Sequence, residues 1–161
     1  MIIVSNTTPL HYLILLEASE LLPQLFGQVI VPEAVIAELQ HASAPDKVRQ
    51  WLTNIPAWLE IRSPVALDPT LNFGSGENAA ISLAQELHAD SILLDDRKAR
   101  LEAMRRGLAV AGTINILDIA AEKQLLDLPT AFRKLQNTNF RVSAALLQEF
   151  LDRDAARQAK H

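Results

Sequence analysis

Three short apolar runs, Ile2-Ile3-Val4, Val29-Ile30-Val31 and Ser91-Ile92-Leu93-Leu94, recur along the chain, and each gives way to a helical pattern. A run of three or four aliphatic residues without polar alternation is buried on both sides. Such runs, separated by helices, pair in parallel, because each parallel neighbour needs a crossover and a helix usually supplies it. The expected fold is therefore α/β: one central parallel sheet flanked by helices. In sheets of this kind the functional crevice lies beyond the carboxyl ends of the strands.

The remaining elements follow the same grammar. After a first strand ending at Ser5-Asn6, Pro9 suits the opening of a helix that Leu10, Leu13, Ile14 and Leu16 carry on until Phe26-Gly27 breaks it. Pro32 starts a helix with Val35, Ile36 and Leu39 on one face, residues 45–54 read as helical, and residues 58–61 as a third strand. Residues 63–76, with two prolines and two glycines, read as a loop that positions the helix over 77–88. A basic helix follows Asp95-Asp96, residues 109–111 form a last strand, and Gly112-Thr113 opens a helix. Two more helices fill 127–138 and 143–157, and the polar tail from about residue 155 is expected to fray. No internal repeat or linker divides the chain, so one domain over 1–161 is expected.

Composition narrows the function. With no cysteine, disulfides, zinc–thiolate sites and thiol catalysis are excluded. No apolar run approaches the roughly 20 residues of a membrane span, and no basic region precedes the first apolar stretch, so neither a membrane segment nor a signal peptide is expected. These features fit a cytoplasmic location. A net charge of −4 argues against bulk nucleic-acid binding, but Arg97, Lys98, Arg100, Arg105 and Arg106 form a local basic patch.

Carboxylates stand where the sheet would gather them. Asp95-Asp96 follows a strand with no polar residue of its own; one acid suffices to cap the next helix, and two are present. Arg97, Lys98 and Arg100 open that helix where its dipole disfavours cations. Pairing of Asp96 with Arg100 accounts for this, and so does a phosphate-bearing substrate; the sequence leaves both open. Glu77 opens a helix, where the dipole favours an acid, yet it projects near the face carrying Ala80, Ile81, Ala84 and Leu87. An acid at an apolar margin needs a partner or a metal, and Gly74 and Gly76 let backbone approach a ligand closely. Glu38 borders the Val35, Ile36 and Leu39 stripe, equally consistent with a solvated flank. In Ser5-Asn6-Thr7-Thr8 one side chain is expected to cap the helix, and Asn6 can also offer a neutral oxygen to a cation. Scattered acids converging on one sheet edge suit Mg²⁺ or Mn²⁺, which prefer oxygen ligands. His11, His41, His88 and His161 show no metal-ligand spacing, and Trp51 and Trp58 read as core or interface rather than base-stacking residues.

The pieces Val4-Ser5-Asn6-Thr7-Thr8-Pro9-Leu10, Val31-Pro32-x-x-Val35-x-x-Glu38-Leu39, Gly74-Ser75-Gly76-Glu77-x-Ala79-Ala80-Ile81, Leu93-Leu94-Asp95-Asp96-Arg97-x-Ala99-Arg100 and Gly112-Thr113-Ile114, in that order, resemble the PIN-domain superfamily, within it a prokaryotic branch of formerly unknown function. The resemblance spans about residues 2–150 and implies a three-layer sandwich whose acids bind Mg²⁺ or Mn²⁺ and cleave single-stranded RNA. It implies Glu38, Glu77 and Asp95 as acidic ligands, Asp96 as neighbour or substitute, and Asn6 where the first family Asp stands. Arg97, Lys98, Arg100 and Thr7 are assigned to the substrate. It further implies a toxin of a toxin–antitoxin pair similar to VapC, a small antitoxin partner and a homodimer. A neutral Asn6 leaves the site one negative charge poorer, so a catalytically weakened binding module is the competing expectation.

Overall fold

A computed structural model of the chain describes residues 1–41 and 43–160. The chain divides into two compact units, Met1–Thr113 and Ile114–His161, and each is described by itself.

The first unit is built on a five-stranded parallel sheet of β1 (Ile3–Ser5), β2 (Val29–Val31), β3 (Leu59–Ile61), β4 (Ser91–Leu93) and β5 (Val110–Ala111), in the order β3-β2-β1-β4-β5. The strands alternate with α1 (Thr7–Leu15), α2 (Leu21–Phe26), α3 (Glu33–Leu39), α4 (Asp46–Leu52), α5 (Ser75–Glu86) and α6 (Arg97–Arg105). Register pairs Val4 with both Ile30 and Ile92, and these three share a buried core with Ala80, Ile81, Leu83 and Ala84 of α5 and Ala99 and Ala103 of α6. Ile3, Ser5, Val29, Val31 and Leu93 alternate with them and are buried as well. Both sheet faces are thus covered, which is the three-layer α/β arrangement expected. Burying each large aliphatic side chain contributes about 1.5–3 kcal/mol, so the two faces supply most of the driving force.

The strand order reverses between β1 and β4: the chain adds β2 and β3 on one side of β1, then β4 and β5 on the other. The crevice at such a switch point lies past the carboxyl ends of those two strands. There the Asn6 N–H donates to the Leu93 carbonyl at 2.9 Å. Asn6 and Asp95-Asp96 therefore emerge side by side.

Two expectations are corrected here. The helix expected from Pro9 to Phe26 is two helices, because the chain turns at Glu17, where φ is 56°. The helix after the 63–76 loop starts earlier, at Ser75.

That loop is pinned. The Arg106 guanidinium, only 10% exposed, donates to Asp68 Oδ2 at 2.6 Å, Gln85 Oε1 at 3.0 Å and Thr70 Oγ1 at 2.8 Å, and its Nε to Glu102 Oε2 at 3.0 Å. Hydrogen bonds from Thr70, and then the Arg106 guanidinium, hold the Asp68 carboxyl at about 2, below its ordinary 3.8. A depressed carboxylate pKa stabilises the folded state above the unfolded value and is lost as pH falls through the folded one. Melting compared between wild type and Asp68→Asn should therefore show a wild-type advantage above pH about 4 that vanishes by pH about 2.

The second unit contains most of α7 (Thr113–Glu122), with α8 (Leu128–Gln136) and α9 (Ala144–Gln158). Asp127 caps α8 by accepting from the Thr130 N–H, and Ser143 caps α9 by accepting from the Leu146 N–H. Leu128, Phe132 and Leu135 form the buried stripe of α8, and Leu147 and Phe150 that of α9. The helix expected over 143–157 is α9, running to Gln158, where Arg157 donates to Asp118 at 2.8 Å and to the buried Asp154 at 3.3 Å. Among the described residues, no helix is long and apolar enough to cross a membrane.

Candidate active site

Asn6 takes the N-cap position of α1, yet its side chain makes no capping bond. Pro9, third in the helix, has no N–H to offer, which removes one of the usual partners of a cap. The Asn6 side chain is 3% exposed, and its Oδ1 is buried with no hydrogen-bond partner. A buried, unsatisfied oxygen costs about 1–3 kcal/mol, and a cation or water would relieve it.

The next residue reaches the second acid. Thr7 Oγ1 donates to Glu38 Oε2 at 2.5 Å, and the N-terminus of α5 supplies the Gly76 N–H at 2.9 Å and the Ser75 hydroxyl at 3.4 Å to Glu38 Oε1. Glu38 is thus exposed but held from two helix starts. Thr7, assigned to the substrate from sequence, spends its hydroxyl proton on Glu38. A Cβ at position 76 would stand 2.7 Å from Glu38 Oε1, so the glycine admits this carboxylate rather than an outside ligand. Because Glu38 is the end of a flexible side chain, Gly76→Ala should cost under about 1 kcal/mol in melting while releasing Glu38 from the Gly76 amide, visible in a crystal structure of the variant.

Glu77 is half-buried and reaches back to the Gly74 N–H at 3.3 Å, one arm of a capping box. Burial raises its pKa above 4.5, and the charges of Asp96 and Glu38 push the same way. Glu77 therefore feels both acids. Asp96 is exposed and caps α6 by accepting from the Ala99 N–H at 3.0 Å. Arg97 and Lys98 are exposed in the first turn of α6.

Asp95 belongs to a different set of contacts. Its Oδ1 accepts from the Thr113 N–H at 2.8 Å and its Oδ2 from the Thr113 hydroxyl at 2.6 Å. Burial raises its pKa, while Thr113 and the Arg100 charge oppose the rise. Arg100 also donates to the Leu94 carbonyl at 3.0 Å. Glu77 thus feels the charges of Asp96 and Glu38, Thr7 next to Asn6 bonds Glu38, and Asp95 is held by Thr113 and feels the Arg100 charge. Sequence reasoning took Thr113 for a helix opening and a piece of the family pattern; nothing in its spacing signalled that it holds Asp95.

A PIN-domain family model, DUF3368, matches residues 2–155. The chain belongs to the PIN-domain family. PIN domains are generally nucleases and typically use divalent metals, which supports a nuclease kind of activity for the chain. Among solved structures, a PilT N-terminus domain protein, SSO1118, from the hyperthermophilic archaeon Sulfolobus solfataricus P2 superposes with a TM-score of 0.53 at 14% identity, covering 72% of this chain and 90% of that one. At that identity the likeness concerns the fold. No curated protein matches the chain.

The PIN-domain donor set is all oxygen, and the buried Asn6 Oδ1 lacks a partner, which suits a hard cation. Among the described residues, however, no three Asp, Glu, His or Cys side chains are gathered closely enough to hold a metal by themselves. His11, His41 and His88 do not supply the difference, and His161 lies outside the described residues.

Proposed function

We propose that this PIN domain is an endoribonuclease dependent on Mg²⁺ or Mn²⁺, with Asn6, Glu38, Glu77 and Asp96 holding the cation. The observation that carries the reading is the unpartnered Asn6 oxygen at the β1–β4 switch point, with Thr7 next to it bonded to Glu38 and Glu77 within reach of the Asp96 and Glu38 charges. When bound, the cation would offset charge developing on the phosphate oxygens and make water a better nucleophile. The exposed Arg97 and Lys98 would hold the RNA backbone phosphate beside Asp96. As water adds to phosphorus and the bond to the departing sugar oxygen breaks, the water's proton must leave and the sugar oxygen must gain one; a carboxylate at the site, such as half-buried Glu77, would take the first.

The remaining proposals rest on the family resemblance. The protein acts in the cytoplasm as the toxin of a toxin–antitoxin pair similar to VapC, with a small antitoxin as partner. Expression alone should arrest bacterial growth, and co-expression of a small neighbouring reading frame should restore it. It works as a homodimer, so light scattering at tens of micromolar should give twice the 17.8 kDa chain mass. A dimer surface around Trp51 has less to offer than expected, since its indole N–H donates to Ser19 at 3.2 Å and its ring packs on Trp58 at 5.9 Å.

A second reading is favoured by the neutral Asn6 and by the spread of the acids: a PIN fold that binds RNA with little catalysis. Metal titration separates the two, because such a module should bind Mn²⁺ negligibly.

A further inference from the structure

Asp95 and Asp96 are adjacent, yet their carboxylates have different partners. Immediately ahead of Asp96, the chain leaving β4 is fastened three times within two residues. The Leu94 N–H donates to the Ala111 carbonyl at 2.9 Å. The Leu94 carbonyl accepts from Arg100 Nη1 at 3.0 Å. The Asp95 carboxylate takes both the N–H and the hydroxyl of Thr113, at 2.8 and 2.6 Å. Thr113 is fully buried and is the first residue of α7. Its N–H is one of the amides a helix start leaves without an internal partner, and a carboxylate there is favoured by the helix dipole. Short charge-assisted bonds of this kind are the strong ones.

Position 112 shows how closely these groups pack. A Cβ on Gly112 would collide with the Arg100 guanidinium and stand 2.7 Å from Asp95 Oδ1 and 3.5 Å from the Leu94 carbonyl. The glycine is thus required by close approach, since its backbone is not in the left-handed region.

We infer that Asp95 is a positioning residue, the centre of a clasp of Leu94, Asp95, Arg100, Gly112 and Thr113 that ties the carboxyl end of β4 to the start of α7 and thereby aims Asp96 at the site. The inference rests on the functional reading above and divides the segment residue by residue. Asp95 and Arg100 face inward on the clasp, and Asp96, Arg97 and Lys98 serve the cation and the phosphate. Asp95 is partly buried with each of its oxygens already accepting a short bond from Thr113, whereas Asp96 commits one oxygen to the Ala99 N–H and remains exposed.

The test uses the full chain with Asp95→Asn, Thr113→Val, the double variant and Asp96→Asn. Two quantities are measured: Mn²⁺ affinity by calorimetry, and hydrogen exchange of the Ala99 amide, which Asp96 caps, without metal. Partners standing behind a metal ligand commonly change affinity 10–100-fold, so Asp95→Asn and Thr113→Val should each weaken Mn²⁺ binding about 10-fold. Because they share one contact, the double variant should be no weaker than Asp95→Asn alone. Both should speed exchange at Ala99. Asp96→Asn should lose Mn²⁺ binding while keeping Ala99 protected, since Asn caps as well as Asp. Loss of binding in Asp95→Asn with wild-type affinity in Thr113→Val would overturn the inference and make Asp95 a ligand. Lower melting temperatures with unchanged affinity and unchanged Ala99 exchange would reduce the clasp to a purely structural tie. If wild type binds no Mn²⁺, the functional reading fails by itself. The clasp is then judged on Ala99: faster exchange in both variants supports it and unchanged exchange overturns it. If Asp95→Asn does not fold, Thr113→Val, which keeps volume and removes one hydroxyl, decides by the same two readouts.

Discussion

Asp96→Asn and Glu77→Gln are each expected to lower Mn²⁺-supported RNA cleavage by at least about 100-fold, with the fold intact. Both substitutions keep shape and remove one negative charge. Asn still caps α6 through the Ala99 amide, and Gln still offers an oxygen to the Gly74 amide. Glu77→Gln carries a second expectation of opposite sign. Burial first, then Asp96 and Glu38, raise the Glu77 pKa above its ordinary 4.5. The folded state then binds this proton more tightly than the unfolded chain, so metal-free stability falls as pH rises from 4.5 through the folded value. A neutral Gln escapes that loss. Glu77→Gln should melt above wild type at pH about 7 without metal and lose its advantage at pH about 4. A variant that gains stability while losing cleavage is the pattern expected where acids are crowded for function.

Asn6→Asp is the second large expected effect. It places a carboxylate where a buried, unpartnered amide oxygen now stands. Without metal, the new charge lacks a partner and sits near the other acids, so its pKa should be raised and the protein should melt lower than wild type. With metal, the added carboxylate should tighten Mn²⁺ binding at least about 10-fold, and the shift in melting temperature on adding Mn²⁺ should grow accordingly. Unchanged affinity and unchanged cleavage would place Asn6 away from the cation.

Much of this architecture is legible in the chain. β1, β2 and β4 are short aliphatic runs suited to a doubly covered sheet, and Asn6 and Asp95-Asp96 follow the two strands that flank the switch point. What is not legible depends on long-range partners. The break between α1 and α2 sits at Glu17 in a left-handed conformation, inside a stretch whose leucines continue the helical pattern. The extent of α9 is legible, but the ion pair of its last turn, between Arg157 and Asp118 39 residues apart, is announced by no local pattern. The split between Asp95 and Asp96 follows the same rule. Either is a plausible ligand by position, and the bonds that distinguish the first come from Thr113, 18 residues later. Gly76 was readable as a site of close approach, but what approaches it is Glu38 of the same chain.

The central claim is tested most directly by incubating the purified protein with single-stranded RNA in Mn²⁺ and in EDTA, beside Asp96→Asn and Asn6→Asp. The account predicts internal cleavage by wild type in Mn²⁺, none in EDTA, none by Asp96→Asn and more by Asn6→Asp. Wild type that binds the RNA but leaves it intact in Mn²⁺, while Asn6→Asp cleaves it, would contradict the enzyme reading and make the natural protein a binding module.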